Sequence, residues 1–124
     1  MKKIAVSVHR LKVFKEGTKR VAYTVRFIVF DPKKYFVSTP DAKDLCRKQM
    51  HCSKKKMNDE YDSIYGVWMK IGHGKNTHVE FNNTTKAAAN VIFIIPKKYR
   101  RHAYEVINGT ELPWSDKDVK DVFK

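Results

Sequence analysis

Val91-Ile92-Phe93-Ile94-Ile95 is the stretch whose reading decides the fold. Five apolar residues run together without alternation, and in a strand this means that both faces are covered. The run is far shorter than a membrane span of about 20 residues, so it reads as the central strand of a sheet. Pro96, directly after it, starts a helix over Lys97–Asn108, and Gly109 is its stop. Tyr99, His102 or Ala103, Val106 and Ile107 form that helix's apolar stripe.

The strands flanking a central strand should alternate, and the sequence supplies them. Residues 21–30 are the clearest case: Val21, Tyr23, Val25, Phe27 and Val29 share one face, Ala22, Thr24 and Arg26 the other, and Asp31-Pro32 ends the run. Residues 64–71 and 77–81 form a hairpin around Gly72-His73-Gly74-Lys75-Asn76, with Val79 and Phe81 facing in and His78 and Glu80 out. Asn82–Thr85 reads as loop and Lys86–Asn90 as a helical turn. Residues 2–14 read as a strand whose apolar positions change parity, from Ile4, Val6 and Val8 to Leu11 and Val13. Such a change predicts a β-bulge near His9-Arg10. Lys15–Lys19 has the length and glycine of a hairpin loop.

Between these strands, Ser38-Thr39-Pro40-Asp41 has the N-cap hydroxyl, early proline and first-turn acid of a helix start. The spacing predicts one helix from Pro40 to about Lys56, with Ala42, Leu45, Cys46, Gln49, Met50 and Met57 near one stripe and Lys43, Arg47, His51 and Lys55 on another. A third short helix begins at Ser115. The order ββαβββαα predicts an α+β fold: a mostly antiparallel sheet of about five strands with two or three helices on one side, in a single domain over residues 1–124.

Charge points to the partner. The first 56 residues hold sixteen Lys/Arg against four acids, a net +12 of the chain's +13. A fold needs no such asymmetry, whereas a polyanion exploits it. Arg10, Lys12, Lys19, Arg20 and Arg26 decorate the first hairpin, and Lys43, Arg47, Lys54, Lys55 and Lys56 the first helix. Lys97, Lys98, Arg100 and Arg101 crowd the start of the second. Cations at a helix start oppose its dipole, and a bound phosphate would reverse the sign. Lysines outnumber arginines twenty to six. Arginine makes the bidentate contacts that read bases, while lysine acts as a point charge toward phosphate. The expectation is therefore a small nucleic-acid-binding protein, for RNA or DNA, that grips the backbone with little sequence preference. A basic face against an acidic protein partner is a further reading.

An enzymatic alternative rests on His73 and His78. Two imidazoles facing across a hairpin could act as base and acid on a phosphodiester, with Glu80 orienting His78 and Lys70, Lys75 or Arg100 stabilising charge. This would be a metal-independent ribonuclease. Cys46, His51 and Cys52 lack zinc-site spacing, and about 240° separates the two cysteines on a regular helix, which excludes a disulfide there. No phosphate-binding glycine loop, dinucleotide fingerprint or nucleophile elbow occurs, so no cofactor or metal is expected. Without a signal-peptide pattern or a long apolar run, the chain reads as soluble and cytoplasmic; oligomeric state is not legible.

Overall fold

The structure, a computed structural model, describes residues 6–14, 22–70, 76–81, 89–109 and 111–113. Its frame is β5 (Ala89–Pro96), buried on both faces and flanked by β2 (Ala22–Phe30) and β3 (Tyr61–Lys70). β1 (His9–Phe14) adds to β2, β4 (Asn76–Phe81) to β3, and the three-residue β6 (Glu111–Pro113) to β4. The sheet order is β1-β2-β5-β3-β4-β6, and every pairing is antiparallel. The fold is α+β. Among the described residues no helix is long and apolar enough to cross a membrane.

The helices cover both faces rather than one. On one face Val25, Phe27, Val29, Phe93, Ile95 and Trp68 pack beneath α3 (Arg100–Ile107), which contributes Ala103 and Ile107. On the other, Ile28, Phe30, Ile92 and Ile94 pack beneath α1 (Thr39–Met50) and α2 (Lys54–Glu60), through Ala42, Cys46 and Met57. A strand that supplies alternate residues to two cores has no polar face, which is why residues 91–95 do not alternate.

The same two-sided burial replaces the expected bulge. β1 pairs with β2 residue for residue from His9↔Phe27 to Phe14↔Ala22, with no bulge. Leu11 and Val13 serve the α3-side core, whereas Val6 and Val8 pack against the α1-side core. The apolar parity changes because the chain moves from one core to the other, not because the ladder slips.

The expected Pro40–Lys56 helix is two helices. Its start is as anticipated: the Asp41 amide donates to Ser38 Oγ at 3.2 Å. It ends early, at His51, which takes the left-handed conformation with φ 54°. His51 N–H donates to Lys48 O and Cys52 N–H to Arg47 O, the paired bonds of a Schellman cap. Ser53 then caps α2 by accepting from the Lys56 amide at 3.1 Å. The predicted basic stripe is therefore cut after Arg47.

Further along, Ala89 and Asn90 belong to β5 rather than to a helical turn. The second helix opens as a 3₁₀ turn over Lys97–Tyr99 before becoming α3. Gly109 stops it with φ 76° and donates its N–H to Val79 O. Asn108 Oδ1 accepts from the Phe81 amide at 2.8 Å, tying the end of α3 to β4. Residues 15–20, 71–75 and the expected third helix from Ser115 lie outside the described residues.

Candidate nucleic-acid interface

On β1 and β2 the basic residues face α1, because His9, Leu11 and Val13 turn to the other core. Arg10 stands directly opposite Arg26, and Lys12 opposite Thr24. Like charges in opposed positions destabilise a sheet by several tenths of a kcal/mol. Arg26 Nε donates to Gln49 Oε1 of α1 at 3.0 Å, which holds its side chain toward the helix. Lys19 and Arg20 lie outside the described residues.

On α1, Asp44 is the hub. Its Oδ1 accepts from Arg47 Nε at 3.1 Å and from the terminal guanidinium nitrogen at 2.9 Å, and its Oδ2 lies 3.3 Å from Lys48 Nζ. Hydrogen bonds from Arg47, then Lys48, hold the Asp44 carboxyl below its ordinary range despite some desolvation. Arg47 also donates to Cys52 O at 3.3 Å, and Lys43 Nζ to Tyr61 O at 3.4 Å. On α2, Lys55 lies 3.9 Å from Asp59 in an exposed pair, while Lys54 and Lys56 meet no acid among the described residues. A cleft of about 510 Å³ opens between α1 and α2, lined by Pro40, Lys43, Asp44 and Arg47 of the first helix and by Lys54 and Met57 of the second.

The Lys97–Arg101 cluster sits where β5 ends and β3 begins, since Pro96 pairs with Tyr61. Lys97 and Lys98 are exposed. Arg100 reaches Asp62 at 3.3 Å, and Arg101 lies 3.4 Å from Glu105 in an exposed pair. Tyr99 is stacked on Tyr23 with 4.3 Å between ring centroids, and the Lys98 ammonium lies over its ring at 5.1 Å. That ring is part of the core's margin, not an open platform for a base. Tyr23 also shares a hydrogen bond with His102 Nδ1, and burial, with Tyr99 beside it, pushes the Tyr23 hydroxyl above its ordinary range. None of this Tyr23–Tyr99–His102 grouping was legible as a unit in the sequence.

The two basic clusters thus meet. Lys43 holds Tyr61 from the α1 face, and the next residue, Asp62, holds Arg100 from the α3 face. Lys12 and Arg26 lie toward the same Pro96 end, because β1 finishes and β2 begins there. Around this end Arg10, Lys12, Arg26, Lys43, Lys54, Lys97, Lys98 and Arg100 line a belt that crosses both faces.

His78 is placed elsewhere. His78 pairs with Met69, eight residues along β3 from Tyr61, or about 27 Å at strand rise. Its Nε2 lies 3.1 Å from Glu80 Oε1, so Glu80 does orient it. Arg100 is at the opposite end of β3 and on the opposite face, so it does not serve His78. His73, Lys75 and the side chain of Lys70 lie outside the described residues. Among the described residues no three His, Cys, Asp or Glu side chains converge as metal ligands. Cys46 and Cys52 are free thiols, and burial pushes Cys46 up to about 12. Trp68 is 1% exposed in the α3-side core.

One exposed feature was missed. Asp31 builds a tight turn, its carbonyl accepting from the Lys34 and Tyr35 amides at 3.0 Å and its carboxylate from the Lys33 amide at 2.9 Å. The turn presents Lys33, Lys34, Tyr35 and Phe36, with Phe36 81% exposed. The available signal was the adjacency of two lysines and two aromatics after Asp-Pro.

Comparison with known proteins finds no family model, no curated protein and no solved structure that matches this chain.

Proposed function

We propose that this protein binds nucleic acid through the phosphate backbone, with little sequence preference, using the basic belt around the Pro96 end of the sheet. The observation that carries this reading is the meeting of clusters that the sequence holds 40 residues or more apart: Lys43 and Arg100 grip consecutive residues, Tyr61 and Asp62, from opposite faces. Internal acids neutralise only part of the belt. Asp44, Asp59, Asp62 and Glu105 offset Arg47, Lys55, Arg100 and Arg101 in mostly exposed pairs that a phosphate can compete for. Arg10 facing Arg26 is a repulsion that a polyanion relieves. Apart from the belt, the turn that follows β2 at the Asn90 end of β5 carries the exposed Phe36 beside Lys33 and Lys34, a second surface on which an unpaired base can stack.

The test is equilibrium binding of single- and double-stranded RNA and DNA across a salt series, with strand integrity checked afterwards. Four to six backbone contacts predict a slope of log affinity on log salt of about −3 to −5. Reversing the charge of Lys97 and Lys98 together should weaken all sequences alike and flatten the slope by about 1–2. Absent binding, or binding indifferent to salt, would overturn the reading. An acidic protein that nucleic acid fails to displace would replace it. Metal-independent cleavage lost in His78→Ala would make the protein a nuclease instead.

A further inference from the structure

The cleft between α1 and α2 has a charge balance that a backbone phosphate does not match. Its wall carries Lys43, Arg47 and Lys54 against the single acid Asp44, a formal +2. A phosphodiester within a strand brings one negative charge, whereas a phosphomonoester brings about −1.5 to −2 at neutral pH. We propose that this cleft receives a terminal phosphomonoester, as carried by the 5′ end of a strand or by a free mononucleotide. The proposal deepens the nucleic-acid reading, and the experiment below separates the two.

The geometry favours a nucleotide over a bare ion. A volume of about 510 Å³ falls within the range of small-molecule sites and far exceeds a phosphate's need. The lining also includes Pro40 of α1 and Met57 of α2, which add apolar surface suited to a sugar or base. The cations are not equally committed. Arg47 is clamped by Asp44 and Cys52 O, which fixes its place in the lining. Lys43 makes one long bond to Tyr61 O. Lys54 has no partner among the described residues and stands exposed at the start of α2, so its ammonium is available to close over a ligand. The Schellman break at His51 is what creates the cleft. A continuous helix would have carried Lys54 on along the axis of α1, away from Lys43 and Pro40.

The experiment compares one single-stranded 12-mer with a 5′-phosphate and with a 5′-hydroxyl, and separately titrates adenosine monophosphate and adenosine. The full chain is used, with Lys54→Ala and Lys43→Ala as cleft variants and Lys55→Ala as the neighbouring control. The expected result is about tenfold tighter binding of the 5′-phosphorylated strand, since each tenfold needs only one good charge-assisted contact. Lys54→Ala should reduce that preference to about twofold or less, read as the ratio of the two strands' affinities so that any shared loss of backbone binding cancels, and Lys55→Ala should leave the ratio unchanged. Saturable binding of adenosine monophosphate without a 5′ preference would support the cleft with free nucleotide as its source. Equal affinity for adenosine and its monophosphate would overturn the proposal. So would a 5′ preference that survives both Lys54→Ala and Lys43→Ala. Salt-dependent binding of both strands with no preference and no nucleotide binding would sink the cleft and leave the backbone reading standing.

Discussion

Replacing Gly66 by alanine tests the tightest contact in the sheet. A Cβ at this position would lie 2.5 Å from the Glu80 carbonyl oxygen, 3.0 Å from Phe81 Cα and 3.2 Å from the Glu80 carbonyl carbon. All three are backbone atoms of β4, so no side-chain rotation relieves the clash. Nor can β3 retreat, because Gly66 is also paired with Val91 of β5 on its other side. Glycine to alanine in a strand ordinarily gains about 0.5–1 kcal/mol by lowering backbone entropy, and overpacking costs about 1–3 kcal/mol or more. The clash is with backbone on one side and a ladder on the other, so the upper part of that range applies, for a net loss of about 2 kcal/mol. At about 2.1 cal/mol/K per residue, 124 residues give an unfolding entropy near 0.26 kcal/mol/K, and the melting temperature should fall by about 8 °C. Calorimetry measures the shift, and amide exchange locates it: β4 should lose protection ahead of β2. Gly109→Ala is the contrast, because it meets no atom within 4 Å and is strained only by its φ of +76°; its cost should be about 1 kcal/mol and local to the end of α3. A Gly66→Ala melting temperature at or above the parent's would refute the close-approach argument.

Other substitutions probe other parts of the same physics. His51→Gly should stabilise the protein by about 1 kcal/mol in denaturant melts, since a left-handed residue with a Cβ costs about 1–2 kcal/mol and glycine's extra unfolded entropy returns part of it. Trp68→Phe should cost less than about 1 kcal/mol, because it removes a buried indole N–H that has no acceptor among the described residues, whereas Trp68→Ala should cost about 3–5 kcal/mol. The Cys46 thiol, raised to about 12, should resist thiol reagents at pH 8 in the folded protein and react once denatured. Its folded value lies above its unfolded one, so its contribution is intact below about pH 9 and is lost as pH rises toward 12; Cys46→Ala should flatten that alkaline loss in a pH series of melts.

Much of the architecture was legible because burial imprints itself on periodicity. Residues 91–95 announce a two-sided strand and Ser38-Thr39-Pro40-Asp41 a helix start, and both are found as expected; the strand read over 21–30 is found as Ala22–Phe30, alternating to Arg26 and buried on both faces from Phe27 to Phe30. The departures have separate causes. The parity change from Val6 and Val8 to Leu11 and Val13 predicts a bulge if one core is served, and two cores explain it with a regular ladder. The helix break at His51 was invisible because the usual signal, glycine after the last turn, is absent. Among the basic residues, local pairing such as Arg47 with Asp44 follows from spacing of three or four on a helix. Pairing across the sheet, such as Arg100 with Asp62 or Arg26 with Gln49, does not, because nothing in a one-dimensional pattern reports strand order.

By itself the sequence determined the α+β class, the central strand and the lysine-led excess of charge, since composition and local period are properties of neighbouring residues. Only the tertiary structure decided where that charge gathers. The antiparallel order β2-β5-β3 brings the start of β2, the end of β5 and the start of β3 to one end of the sheet. There Lys43 from the first half and Arg100 from the second reach adjacent residues of one strand. Such convergence depends on long-range pairing between segments, and it also separates His78 from Arg100, which a reading of residue types alone had placed in one site.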